Sequence, residues 1–259
     1  MLSIDFFIGT PAEAIAYLSK HGGMVIAPAA PSFIALQDDR DYGHAIADAD
    51  LAIADSGWAV LFWRLIQHEK LTRISGLALF KALLETPDAR VPKNLFFVLL
   101  SEKAKERTLE FVSNSAYPVS SDDCYVAQRY QSSVEDTGLV SILESRSPNH
   151  VIVGIGSGIQ DKLGNYLKRS LSYRPAIYCI GAAPGFVTGD QVVIPNWADR
   201  FFVGWIFRLI AQPRTLLSRF WSARRLSRMM LRYRRGLPGH EVSARIICYS
   251  GGKPITDSQ

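Results

Sequence analysis

The sequence predicts an α/β fold: a mostly parallel sheet with helices on both faces, followed by a basic helical C-terminal appendage. Three observations carry this. Short apolar runs alternate with amphipathic stretches along most of the chain, the pattern of strands joined by crossover helices. The run Leu95 to Leu100 is apolar without a break, which suits a strand buried on both faces. The charge is uneven as well. Residues 200 to 235 hold ten arginines, no lysine and no acid, while the rest of the chain carries 19 Lys+Arg against 24 Asp+Glu.

Taken in order, Ile4 to Ile8 reads as a first strand ending at Gly9. Thr10-Pro11 opens a helix to about Lys20, with proline where the first turn tolerates it. Gly23 to Ala27 is a strand broken by Pro28 and Pro31, and Ser32 is placed to cap a helix running towards Ala49. Leu51 to Ala54 is a short buried strand. In the helix that follows, Trp58, Leu61, Phe62, Leu65 and Ile66 recur at helical spacing. A further helix covers about Leu77 to Leu84. Leu95 to Leu100 is a strand, and Ser101-Glu102 opens a helix to about Ser113. The stretch from Asn114 to Gln131, rich in Ser, Asp and Tyr, holds a weak strand near Tyr125. His150 to Ile155 is a strand leading through a Gly-rich turn into a helix to about Leu171. Ala176 to Ile180 closes the series at Gly181, and Ala244 to Tyr249 adds one short late strand. The layout is Rossmann-like. The simplest partition is a core over residues 1–198 and a basic amphipathic segment over 199–259.

The chain of 259 residues is 48% hydrophobic, enough to bury a sizeable core. Its three cysteines, Cys124, Cys179 and Cys248, form no CxxC pair, which argues against a disulfide framework or zinc site and fits a reducing cytoplasm. The N-terminus has no basic region followed by an apolar stretch, so no signal peptide is expected. No uncharged apolar run reaches the length of a membrane span. The five histidines are scattered without metal spacing, and Gly156-Ser157-Gly158 is not GxSxG; neither a metal nor a Ser-His triad is expected.

Four features could carry chemistry. Asp55 in Asp55-Ser56-Gly57 lies at the carboxyl end of a strand, facing a helix start, where open α/β sheets place their reactive groups; the plainer alternative is a helix cap. Arg73, before Ser75-Gly76, could pair a phosphate, or be a surface arginine. Gly154, Gly156 and Gly158 form a strand-to-helix turn whose amides could face a phosphate, although neither the dinucleotide fingerprint nor a P-loop is present. Gln160, at the helix start, could read a base or ribose, or face water. The arginines after residue 200 interleave with Phe201, Phe202, Trp205, Phe220 and Trp221. That pattern suits a helix lying in an anionic membrane surface; a helix pair packed on the core is the alternative. No nucleic-acid motif accompanies them, so nucleic acid is not an expected partner.

In this order, Val25-Ile26-Ala27-Pro28-Ala29, Asp55-Ser56-Gly57, Arg73-Ile74-Ser75-Gly76, Gly154-Ile155-Gly156-Ser157-Gly158-Ile159-Gln160-Asp161 and Val203-Gly204-Trp205-Ile206-Phe207-Arg208-Leu209 with Gln212-Pro213-Arg214 resemble the bacterial WecG/TagA/CpsF glycosyltransferase family. The resemblance runs from about Ile4 to Phe220. It implies an inverting, metal-independent transfer of a sugar from a UDP-sugar to a polyprenyl-diphosphate-linked glycan, in surface or exopolysaccharide synthesis at the cytoplasmic membrane face, with no cofactor. Asp55 matches the family's general base and Arg73 the arginine that steadies the leaving diphosphate. Gly154, Gly156, Ser157 and Gln160 match the nucleotide-sugar pocket, and Arg208, Arg214, Arg219 and Arg224 fall in the appendage that meets diphosphate and membrane. Members can self-associate, so a homo-oligomer is compatible. Several polar groups of the family pattern are replaced here, by Ala27, Ala29, Ala78, Gly185 and Gly204. The resemblance therefore leaves two readings: a divergent transferase, or a catalytically silent relative that binds a nucleotide or a partner protein.

Overall fold

The apolar runs pair side by side. In the computed structural model, which describes residues 1–2, 4–68, 71–130, 134–188, 224–233, 248–250 and 253–255, six strands form one sheet. They are β1 (Gly23–Ile26), β2 (Leu51–Ala52), β3 (Leu95–Leu99), β4 (Cys124–Val126), β5 (His150–Gly154) and β6 (Ala176–Cys179). Their order is β2-β1-β6-β5-β3-β4, and every pairing is parallel. Parallel neighbours need crossover connections, which are supplied here by helices α2 (Ala30–Ala35), α3 (Arg40–Ala47), α4 (Gly57–Gln67), α5 (Gly76–Leu84), α6 (Glu102–Asn114), α7 (Thr137–Arg146) and α8 (Ile159–Ser170), while α1 (Pro11–His21) precedes β1 and α9 (Ala183–Val187) follows β6. A further helix covers 224–233.

Strand alternation divides the core into two layers. Met24, Ile26, Phe96, Val98, Val151, Val153, Ile177 and Cys179 point to one face, where they meet Tyr42 and Ile46 of α3, Trp63 of α4, Leu139 of α7 and Leu163 of α8. Leu226, Met229 and Met230, from helix 224–233, are buried in the same layer. Val25, Leu95, Phe97, Ile152 and Tyr178 point the other way, against Ile15 of α1 and Leu79, Phe80 and Leu83 of α5. This is the expected layout of a parallel sheet covered on both faces.

Local chemistry sets the helix starts. Thr10 and Glu13 form a capping box at α1, with Thr10 N donating to Glu13 Oε2 at 2.8 Å and Glu13 N to Thr10 Oγ1 at 3.2 Å. Ser56, Ser75 and Ser101 cap α4, α5 and α6.

Three expectations are corrected. Ile4 to Ile8 is not a strand of the sheet: the Phe7 amide donates to the Ala52 carbonyl at 2.8 Å, but only Ile8 takes part in a bridge, so the segment skirts the β2 edge without forming a ladder. The single helix expected from Ser32 towards Ala49 is two helices. Ser32 lies inside α2, whose N-cap Ala29 makes no side-chain hydrogen bond, and the chain restarts at Asp39, whose carboxylate caps α3 by accepting from Tyr42 N. The late strand is real but belongs elsewhere: β7 (Cys248–Ser250) pairs antiparallel with β8 (Lys253–Ile255) in its own two-stranded sheet. Residues 244–247 lie outside the described residues.

Candidate active site

β2 ends at Ala52, and one isolated bridge, Ala54 to Arg73, carries its direction onward. That bridge brings two sequence-predicted residues together. Arg73 Nε donates to the Asp55 carbonyl oxygen at 3.0 Å. The Asp55 carboxylate does not cap the helix that follows it. Ser56 takes that role, accepting from Ala59 N at 3.3 Å. Asp55 Oδ1 instead accepts from Gly76 N at 3.1 Å, at the start of α5. The amino end of a helix favours negative charge, so the half-buried carboxylate is held in place by backbone from a second motif.

At the other end of the site, β5 leads through Gly154 to Gly158 into α8. Gly156 and Gly158 have φ of +109° and +87°, and a Cβ on either would meet no atom within 4 Å. Backbone conformation therefore demands these glycines, and space beside the turn is open. Ser157 is exposed between them. Gln160 is not on the surface as the water-facing alternative had it. It is 1% exposed, its Nε2 donates to the Cys179 carbonyl at 3.1 Å, and the Cys179 thiol donates to the Gln160 carbonyl oxygen at 3.3 Å. Gln160 Oε1 is buried without a hydrogen-bond partner.

The element that joins the two ends was missed by sequence reasoning. It is the turn after β6, Ile180-Gly181 and the start of α9. A Cβ on Gly76 would stand 3.0 Å from the Ile180 carbonyl oxygen. A Cβ on Gly154 would stand 3.3 Å from the Gly181 carbonyl, and one on Gly181, at φ +62°, would lie 3.6 Å from Gln160 Oε1. Thus the Asp55 acceptor site, the Gly-rich turn and Gln160 all converge on this turn. A glycine closing a strand was the only sequence signal for it.

Next to Gln160, Asp161 faces α3 at Tyr42, among buried polar residues that sequence reasoning did not single out as a site. Ser32 Oγ, Tyr42 Oη, Asp161 Oδ1 and Asn165 Oδ1 are, like Gln160 Oε1, buried without hydrogen-bond partners. Buried polar atoms in such a state are ordinarily completed by water or ligand. Asp161 Oδ2 accepts from Gly158 N at 3.0 Å and so braces the Gly-rich turn. Burial pushes the Asp161 carboxyl up to about 7, against the Gly158 amide and the Gln160 side chain, which favour its charged form. Burial also holds the Tyr42 hydroxyl well above its usual range, and the Asp161 charge adds to this.

Ala27 is buried, while Ala29 and Ala78 are half-buried on α2's N-cap and on α5. Gly185 lies in α9. Arg224 is exposed at the start of helix 224–233. Arg208, Arg214, Arg219 and Gly204 lie outside the described residues. Among the described residues, no group of three His, Cys, Asp or Glu side chains is placed to hold a metal ion, and no helix is long and apolar enough to cross a membrane.

Two curated proteins are similar to this chain. One, from Bacillus subtilis (strain 168), is an N-acetylglucosaminyldiphosphoundecaprenol N-acetyl-beta-D-mannosaminyltransferase, 28% identical over 208 residues, covering 77% of this chain and 78% of the relative. The other has the same name, comes from Bacillus spizizenii (strain ATCC 23059 / NRRL B-14472 / W23), and is 26% identical over 205 residues, covering 76% and 75%. The model of the glycosyl transferase WecG/TagA/CpsF family matches residues 1–239. With that match extending from the first residue across all the motifs above, the chain belongs to the WecG/TagA/CpsF family and is a glycosyltransferase.

Proposed function

We propose that this glycosyltransferase moves a sugar from a UDP-sugar to a polyprenyl-diphosphate-linked glycan acceptor, with inversion, at the cytoplasmic face of the cell membrane, in surface or exopolysaccharide synthesis. The named relatives act on an undecaprenyl-diphosphate-linked N-acetylglucosamine, which favours a lipid-linked acceptor and an N-acetylhexosaminyl donor here. The observation that carries the reading is the placement of Asp55. Its carboxylate is fixed by the Gly76 amide, and its own carbonyl is tied to Arg73.

In this reaction the acceptor hydroxyl oxygen attacks the anomeric carbon, and the bond from that carbon to the UDP oxygen breaks. Asp55 takes the hydroxyl proton as general base. UDP departs with the bonding pair, and Arg73 offsets the charge growing on its diphosphate. Gly154, Gly156, Ser157 and Gln160 form the nucleotide side, with Gln160 Oε1 buried behind the turn and left without a partner. Arg208, Arg214, Arg219 and Arg224 belong to a membrane- and diphosphate-facing appendage over 199–259.

Asp55→Asn tests this directly. Sugar transfer from UDP-N-acetylhexosamines to a polyprenyl-diphosphate N-acetylglucosamine should be lost while UDP still binds; unchanged turnover removes Asp55 as the base. The absence of a polar side chain at Ala29 motivates a second reading, a silent relative. It requires that wild type neither transfer nor hydrolyse any UDP-sugar.

A further inference from the structure

Helix α4 is apolar on two opposite sides. Ala59, Val60 and Trp63 face the core, and amphipathic packing needs no more than that one stripe. Yet Trp58, Leu61 and Leu65, at positions i, i+3 and i+7, are 50%, 46% and 70% exposed. Phe62, half-buried, stacks on Trp58 with ring centroids 6.1 Å apart. The helix contains no acid. Scattered exposed apolar residues need no explanation, but a contiguous stripe led by a tryptophan does.

The stripe has a charged border. Trp58 Nε1 donates to Ser227 Oγ at 3.1 Å, tying α4 to helix 224–233. That helix buries Leu226, Met229 and Met230 and exposes Arg224, Arg225, Arg228, Leu231 and Arg232. It too has no acid; the facing acid is Asp38, whose carboxylate lies 3.9 Å from Arg225. An apolar stripe with an indole at one end and arginines alongside is the composition that settles at an anionic lipid surface. The rings and leucines enter the headgroup boundary, and the guanidinium groups meet phosphate.

We infer that the outer face of α4, through Trp58, Leu61 and Leu65, is an interfacial contact with anionic lipid. Because α4 begins immediately after Asp55, this contact sets the mouth of the site at headgroup level. A diphosphate on a lipid chain presents its sugar at that depth. The inference rests on the lipid-linked acceptor proposed above, but lipid binding can be read without any sugar transfer.

The experiment uses the full chain and vesicles of equal parts phosphatidylglycerol and phosphatidylcholine. In flotation, Leu61→Gln/Leu65→Gln should partition at least about tenfold more weakly than wild type. Both side chains are exposed, so the melting temperature should not move. Brominated acyl chains should quench wild-type tryptophan fluorescence, and Trp58→Phe should remove a defined share of that quenching. Wild-type partitioning by the double variant overturns the inference. So does a wild-type dimer that the double variant dissociates with vesicle binding intact, since the stripe then belongs to a second copy. UDP titration of the same preparations separates failure here from failure of the transferase reading: that reading fails with lost UDP binding, this one with lipid binding.

Discussion

The two ends of the site are held by the same kind of bond, side chain to main chain, at different depths. On the β5–β6 side, Gln160 and Asp161 are 1% and 0% exposed, and their side chains bond to the end of β6 at Cys179 and to the Gly-rich turn at Gly158. On the β2 side, Asp55 is half-buried beyond a two-residue strand; the Gly76 amide donates to its carboxylate and the Arg73 side chain to its carbonyl oxygen. The first end is built before any ligand arrives and carries unfinished polar valences. The second borders the exposed stripe of α4. Under the proposed function this difference suits the two substrates: a donor nucleotide read by fixed groups, and an acceptor anchored elsewhere that must be admitted.

The largest effect expected is at Asp55. Replacement by Asn should cut transfer about 10²–10⁴-fold and leave UDP affinity within about twofold, since the amide can still accept from Gly76. Equal losses in turnover and UDP affinity would erase the distinction between the ends.

Asp161 comes next, and its readout is stability against pH. Its carboxyl is pushed to about 7 in the fold. An acid with a raised folded value is bound to its proton in the native state where the unfolded chain has already lost it. Stability from this group is therefore full below about pH 4, falls as pH rises, and levels off above about 7. Asp161→Asn, which can still accept from Gly158, should remove that slope. Chemical denaturation should show the variant gaining on wild type by a few kcal/mol between pH 4 and pH 8. A constant difference across that range would mean that the carboxyl is not held protonated.

Gly76→Val probes the joint between the ends. Its Cβ would press on the Ile180 carbonyl at 3.0 Å. Such overpacking should cost about 1–3 kcal/mol of stability and impair transfer more than UDP binding, because it shifts the amide that holds Asp55. Equal damage to both functions would place the Ile180 turn in the nucleotide pocket alone. Smallest is Ser227→Ala, which removes the exposed bond from Trp58; thermal melting should fall by the equivalent of about 1 kcal/mol or less.

Much of this was legible in the residues. The central strands were visible because both faces are buried, so they read as unbroken apolar runs: Leu95–Leu99 and His150–Gly154 needed nothing else. The starts of α1 at Thr10-Pro11 and α6 at Ser101-Glu102 were legible because helix initiation is local chemistry, whereas the Glu13 half of the capping box and the Ser56 and Ser75 caps were not read. Ile4 to Ile8 was misread because its side chains enter both core layers as a strand's would, while its backbone forms no ladder. In α4, periodicity announced a helix but could not say which of two apolar stripes meets the core. Asp55, Arg73 and Gln160 were singled out by their places beside strand ends and helix starts, and motif order then gave each an expected role. Whether Asp55 capped its own helix was undecidable from sequence, since Ser56 beside it is an equally good cap. The Ile180–Gly181 hub and the buried Ser32–Tyr42–Asp161–Asn165 group depend on residues far apart in the chain, and no local pattern marks them.

The division of labour between the ends is tested most directly by UDP calorimetry on wild type, Gln160→Ala and Asp55→Asn, each first shown to melt as a folded protein. Wild type should bind UDP, Gln160→Ala should bind at least about tenfold more weakly, and Asp55→Asn should match wild type. An Asp55→Asn loss as large as that of Gln160→Ala, or no binding by wild type with anionic vesicles present, would contradict the account.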